Sequence, residues 1–212
     1  MKKQALSVFF MFLITLFFAS LVSAVKSING ARIQANQERK LRRVILRVLD
    51  IPTGERSGAV DISLLFAARV KAIQVGERTI YVGYSGDGRT ISGYALPVGG
   101  PGFWGPIQGM VGLAPDAGSV IGLAFYRHSE TPGLGGRITE DWFSRQFKDL
   151  PLFPIEGDRN IFYLRPEGTG KSPNELDAIT GASNTSSAVE AFLNRELDTF
   201  LRESWRKIGE KE

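Results

Sequence analysis

Polar and apolar positions divide this chain into a long apolar start and a patterned body. Lys2 and Lys3 precede an apolar run from Ala5 to Val25, broken only by small hydroxyl residues such as Ser7, Thr15 and Ser20. About 20 residues at a rise of about 1.5 Å per residue match the roughly 30 Å hydrocarbon core of a bilayer. From Ala31 to Leu49 the pattern is helical: Leu41, Val44, Ile45, Val48 and Leu49 form one stripe, and Pro52-Thr53-Gly54 ends it. Asp61 to Val70 suits either a short helix capped by Asp61 or a strand. Thr79 to Tyr84 alternates as a strand, and Asp87-Gly88 turns the chain into a second strand, Thr90 to Leu96. Gln108 to Leu113 and Ser119 to Tyr126 make an antiparallel pair across the turn at Ala114 to Gly118. The clearest helix runs from Asn184 to Ile208, where Val189, Phe192, Leu193, Leu197, Phe200, Leu201, Trp205 and Ile208 advance by three or four residues almost throughout. Ser187 and Glu190 have the spacing of a capping box near its start. The pattern predicts an α+β fold: a mainly antiparallel sheet packed with helices, preceded by one N-terminal hydrophobic helix.

The lysine pair before the apolar run favours an inside N-terminus and an exported body, an asymmetry weakened by Lys26. Val22-Ser23-Ala24 also resembles a small-residue cleavage site, so residues 1–27 are read as a membrane anchor or a signal segment. Both alternatives place residues 28–212 outside the cytoplasm, as one domain on the periplasmic or extracytoplasmic side of the inner membrane. The anchor alternative makes the protein single-pass.

Composition narrows the chemistry. The chain has no cysteine and a single histidine, His128, among 212 residues, which excludes thiol catalysis, iron–sulfur ligation and histidine-cluster metal sites. Redox function then has to come from an added organic cofactor. The net charge of +4 is modest. The basic run Arg39, Lys40, Arg42, Arg43 and Arg47 comes without interleaved aromatics or a recognition helix, so no nucleic-acid partner is expected and contact with anionic lipid or water is. Many of the 24 glycines fall between Gly83 and Gly136, which predicts frequent turns and close backbone approach there.

The chemistry concentrates just before the last helix, in Asp177-Ala178-Ile179-Thr180-Gly181-Ala182-Ser183-Asn184-Thr185. Small and hydroxyl residues here lead into a helix N-terminus, whose free N–H groups and positive dipole end suit a phosphate. An ordinary helix cap explains the same local features equally well. The spacing of Asp177, Thr180, Gly181, Ala182, Ser183 and Thr185 resembles the flavinylation motif of the FMN-binding domain family of membrane electron-transport subunits. That family includes the C subunit of the sodium-translocating NADH:quinone reductase and the G subunit of the Rnf ion-translocating complex. Glu130-Thr131-Pro132-Gly133-Leu134-Gly135 and Gly102-Phe103-Trp104-Gly105-Pro106-Ile107 are similar to two earlier stretches of such subunits.

The resemblance implies a cofactor, FMN, joined through its phosphate to the Thr185 hydroxyl by a flavin transferase. It also implies membrane redox subunits of a multi-subunit, ion-translocating oxidoreductase as partners. In that role the chain relays electrons and has no substrate-converting centre of its own. Thr180, Gly181, Ala182, Ser183 and Asp177 are then expected around the cofactor, with Glu130 and Thr131 near the ribityl chain or phosphate and Leu134 against the ring. Two further readings stay open: a stand-alone extracytoplasmic FMN-binding protein, and a membrane-anchored binding module without redox function. Read alone, Glu130 and Thr131 suit a cap on the Pro132-Gly133 turn, and Phe103 and Trp104 suit a core. Arg137 fits an exposed arginine as well as a phosphate partner. His128 beside Ser129 lacks the nucleophile-turn pattern of a hydrolase, which leaves it structural or at a flavin edge.

Overall fold

The computed structural model describes residues 2–54, 58–153 and 160–209. The chain divides into two compact units, Met1–Lys40 and Leu41–Glu212. The first unit is helical, part of α1 (Lys2–Val48). Its most apolar window has a mean hydropathy of 2.5 and none of it is buried, so by length and composition this helix can cross a membrane. One such helix followed by a large body is the arrangement of a single-pass membrane protein with its main domain outside the cytoplasm. The helix ends where Asp50 turns left-handed (φ 54°) and the Ile51 N–H bonds back to the Leu46 carbonyl at 2.9 Å, with Pro52 just beyond.

The second unit is built on a five-stranded antiparallel meander: β1 (Val70–Val75), β2 (Arg78–Tyr84), β3 (Ile91–Pro101), β4 (Pro106–Leu113) and β5 (Val120–Arg127), in that order across the sheet. Period-two alternation gives the sheet two buried faces. Ile80, Val82, Tyr94, Leu96, Val98, Val111, Leu113, Leu123 and Phe125 face the larger core, and Ala95, Met110 and Ala124 face the smaller one. The smaller core holds Ile45, Leu46, Val48 and Leu49 from the end of α1, with Ile62 of α2 (Ala59–Arg69). Small residues on this side let the helix come close. A Cβ on Gly112 would overlap the Val48 carbonyl. Asp61 to Val70, open to either form in the sequence, is therefore helix up to Arg69, and Asp61 accepts the Gly58 N–H at 2.9 Å from inside the first turn rather than serving as the cap itself.

The larger core is covered by α3 (Asp141–Arg145) and α4 (Ser183–Thr199). Phe143, Phe147, Phe162, Phe192 and Phe200 are among its fully buried side chains, each contributing about 1.5–3 kcal/mol on burial. A short parallel pair, β6 (Tyr163–Arg165) with β7 (Glu175–Asp177), lies outside the meander. Asn194 of α4 ties the segment before it down: its Oδ1 accepts the Ile161 and Phe162 N–H groups at 2.8 and 3.2 Å.

Two expectations change. The last helix is not one regular α-helix to Ile208. After Thr199 it widens to a π-turn over Phe200–Trp205 and resumes as α5 (Arg206–Gly209). The wider turn lets residues five apart face the sheet together, so Phe200 and Trp205 pack with ring centroids 6.3 Å apart and Trp205 meets Tyr94 edge-on at 5.3 Å. The Ser187–Glu190 capping box does not form. α4 begins earlier, after Ala182, with no side-chain cap, and the Glu190 carboxylate instead accepts the Leu164 N–H at 2.6 Å. Strands β6 and β7, three residues each, are too short to be expected from the pattern, and β1 follows α2 with only an irregular alternation of buried positions.

Candidate functional site

Meander topology brings three separated segments to one end of the sheet. β3 ends at Pro101 opposite Pro106 of β4, and Gln108 of β4 pairs with Arg127 near the end of β5. The β3–β4 turn and the loop after β5 are therefore neighbours. α4 is pulled against them because Gly100 has no side chain: a Cβ there would be 2.6 Å from the Phe192 Cβ. A cleft of about 390 Å³ lies between these segments, lined by Phe103 and Trp104, by Glu130, Thr131, Leu134 and Gly135, and by Gly181 to Thr185.

Its floor is polar and buried. Thr185 is 3% exposed and Glu130 4% exposed, and the Thr185 hydroxyl donates to Glu130 Oε2 at 2.6 Å. Glu130 Oε1 accepts the Trp104 N–H at 3.1 Å. Two glycines leave room for this carboxylate, since a Cβ on Gly102 would be 2.5 Å from Oε1 and one on Gly135 2.8 Å from Oε2. Glu130 is thus not the cap of the Pro132-Gly133 turn. That turn closes through the Thr131 carbonyl, which accepts the Leu134 and Gly136 N–H groups at 3.1 and 2.9 Å, with Gly133 at φ 74°. His128 holds the backbone here, its Nδ1 accepting the Glu130 N–H at 3.2 Å.

The rim is apolar and open. Phe103 and Trp104 are 54% and 66% exposed, stacked edge-to-face at 5.0 Å, so they are not core residues. Leu134 stands across from them, close to Gly181, whose φ of 78° turns the chain into α4. The first-turn N–H groups of α4 have no carbonyl four residues back within the helix, and among the described residues no side chain caps them. A buried hydroxyl, an uncapped helix start and an apolar rim together suit a molecule that is anionic at one end and aromatic at the other.

Not every expected residue reaches this cleft. Glu130, Thr131, Leu134, Gly181, Ala182, Ser183 and Thr185 line it. Thr180 turns the other way, its hydroxyl donating to Glu167 at 2.9 Å above a neighbouring hollow. Asp177 stands further back, accepting the Gly168 N–H at 2.8 Å, while its own backbone is bonded in both directions by the Gln146 amide. Both shape the approach to α4, as does Ser186, whose Oγ accepts the Ile179 N–H at 3.0 Å. Arg137 is engaged elsewhere, over the Trp142 ring and 3.2 Å from Glu140. Asn184 and Gly135 also line the cleft, which their residue types alone do not suggest. Their place inside the two motif stretches is the signal that points to them.

Residues 102–198, which contain the whole cleft, match the family model described as "FMN-binding domain". The chain carries an FMN-binding domain. This FMN-binding domain is related to the C subunit of Na(+)-translocating NADH-quinone reductases. The C subunit of the Yersinia pestis reductase is 28% identical over 168 residues, covering 72% of this chain and 63% of its own length. The one from Neisseria meningitidis serogroup B is 30% identical over 165 residues, covering 70% and 63%. The matched region thus spans a little under two thirds of these relatives. Two crystal structures share the fold at 22% identity. The C subunit of the Parabacteroides distasonis reductase has a TM-score of 0.68 over 82% of this chain and 95% of that one, and NqrC from Shewanella oneidensis has 0.66 over 76% and 93%.

The residues present fit FMN. The uncapped start of α4 suits its phosphate, and the Phe103-Trp104 rim offers an aromatic surface.

Proposed function

We propose that this chain is an electron-carrying subunit in which FMN is joined covalently, by a phosphoester, to the Thr185 hydroxyl. The observation that carries the reading is the place of Thr185: a buried hydroxyl in the floor of the cleft, in the first turn of α4, at the last position of the Asp-x-x-Thr-Gly-Ala-Ser-x-Thr sequence. FMN supplies reversible one- and two-electron chemistry when bound. The protein's part is to hold and present it. Amides of Ser183 to Thr185 and the helix dipole stabilise the phosphate charge, Phe103, Trp104 and Leu134 enclose the apolar end, and the open rim leaves one side free for a partner. A tether at Thr185 prevents loss of the cofactor when its charge changes on reduction.

The partners in this reading are membrane redox subunits of an oxidoreductase complex, and a flavin transferase that installs the cofactor. Among the described residues the cleft lining holds one buried carboxylate and no histidine, which is little machinery for acid–base work on a substrate. The domain is therefore a relay without turnover of its own.

Peptide mass mapping after co-production with a flavin transferase tests the attachment. Flavin is expected on the Thr185 peptide of the wild-type chain and on no peptide of Thr185→Ala. Flavin retained by the folded Thr185→Ala protein refutes it. For the relay, the loaded, detergent-purified chain is expected to be reduced reversibly by chemical reductants but to show negligible turnover with NADH and a quinone. Rapid NADH oxidation replaces the carrier reading with an enzyme.

A further inference from the structure

Glu130 is a buried carboxylate that the fold does not need for charge balance. It is 4% exposed, and among the described residues no lysine, arginine or histidine forms an ion pair with it. Burying an anion without a cation is costly and calls for a reason. The only hydrogen bonds to its carboxylate among the described residues are from the Trp104 N–H to Oε1 and from the Thr185 hydroxyl to Oε2. Gly102 and Gly135 leave the space that the carboxylate occupies, and those two hydrogen bonds hold it there. Everything around Glu130 directs one of its oxygens at the proton of a single hydroxyl.

We infer that Glu130 is the general base for attachment of the flavin phosphate to Thr185. This rests on the attachment reading above. An alcohol is a weak nucleophile, and a carboxylate at 2.6 Å removes its proton as attack proceeds. The step balances with a flavin dinucleotide as the donor. Thr185 Oγ1 forms a bond to the phosphorus of the FMN half, and the bond from that phosphorus to the bridging oxygen breaks. The adenylate half leaves as AMP, and the Thr185 proton passes to Glu130 Oε2. No electrons are transferred. Thr185 lines the cleft, the side from which the donor arrives.

The geometry assigns different tasks to the two motif stretches. The Thr185 stretch supplies the nucleophile and the helix start that binds phosphate. The Glu130 stretch, 55 residues earlier, supplies the base. Thr185 on a helix start without Glu130 would be a slow acceptor.

The test is the initial rate of flavin attachment, read by intact mass of the full-length chain in detergent with a fixed amount of flavin transferase and flavin adenine dinucleotide. Glu130→Gln is close in shape but cannot take a proton, and it is expected to slow attachment by about 10²–10⁴-fold. Glu130→Asp keeps the carboxylate at a shorter reach and is expected to be faster than Gln. A role in shape alone predicts the reverse order, because Gln is the better isostere. Glu130→Ala is expected to regain rate when formate is added, the small acid occupying the vacated space. The formate arm also decides the matter if Glu130→Gln fails to fold. Attachment by Glu130→Gln at a rate near wild type, or Gln faster than Asp, or no formate response in folded Glu130→Ala, overturns the inference. These results leave the attachment reading untouched, provided the wild-type label maps to Thr185. A label mapped elsewhere removes both.

Discussion

Gly135→Ala is the sharpest single perturbation of the cleft, because it adds one methyl group where the structure has no room. The new Cβ would sit well inside van der Waals contact with Thr185 Oγ1, 2.8 Å from Glu130 Oε2 and 3.1 Å from Glu130 Cβ. None of these neighbours gives way easily. The Thr185 side chain is short and branched on the rigid first turn of α4, and the Glu130 carboxylate is held from both ends by the Trp104 N–H and the Thr185 hydroxyl. Overpacking of this kind costs about 1–3 kcal/mol. If relief comes by rotating Thr185, its charge-assisted bond to Glu130 is lost as well, worth about 1.5–3 kcal/mol. A loss of about 1–3 kcal/mol in a body of this size lowers the melting temperature by roughly 2–12 °C. Thermal unfolding of the unloaded chain in detergent reads this directly, and intact mass after incubation with a flavin transferase reads attachment in the same preparation. The expected outcome is a lower melting temperature together with little or no covalent flavin. A variant that melts with the wild type and is loaded at the same rate would refute the argument, since Gly135 would then not be packed against the Thr185 hydroxyl.

Trp104→Ala should leave the melting temperature within about 2 °C of wild type, because the ring is largely exposed, yet alter the absorption and fluorescence of the bound flavin; unchanged flavin spectra would remove Trp104 from the cofactor's surroundings. Asn194→Ala should destabilise the unloaded domain by about 3 kcal/mol in denaturant unfolding, since the Ile161 and Phe162 N–H groups lose their shared acceptor inside the core. Asp87 should titrate at about 2 by NMR, against an ordinary 3.8, because the Thr90 hydroxyl and then the Arg89 and Thr90 N–H groups bond its carboxylate. Its folded-state pKa is depressed, so its support of the β2–β3 turn is present above pH 3.8 and is lost as pH falls through about 2. Thr90→Ala should move the titration back towards 3.8.

What the sequence determined by itself was whatever depends on residues close along the chain. The apolar run Ala5 to Val25, the alternation in β2, β4 and β5, and the stripe through Phe192 and Leu197 are local periodicities, so each element was legible with its buried face. The hydroxyl-rich approach to a helix start was legible for the same reason. It left a phosphate site and an ordinary cap equally open until its spacing was compared with a family. Only the tertiary structure decided which residues meet. Thr185 and Glu130 are 55 positions apart, and nothing in either stretch alone says that one hydroxyl donates to the other's carboxylate. The meander brings the β3–β4 turn beside the loop after β5, and Gly100 admits α4 against both. The same packing turns Thr180 and Asp177 away from the cleft although they share a motif with Thr185, because a side chain's direction is set by the backbone turn at Gly181 and not by sequence proximity. It also widens the last helix into a π-turn, since keeping both Phe200 and Trp205 on the core outweighs the regular spacing that local propensity favours.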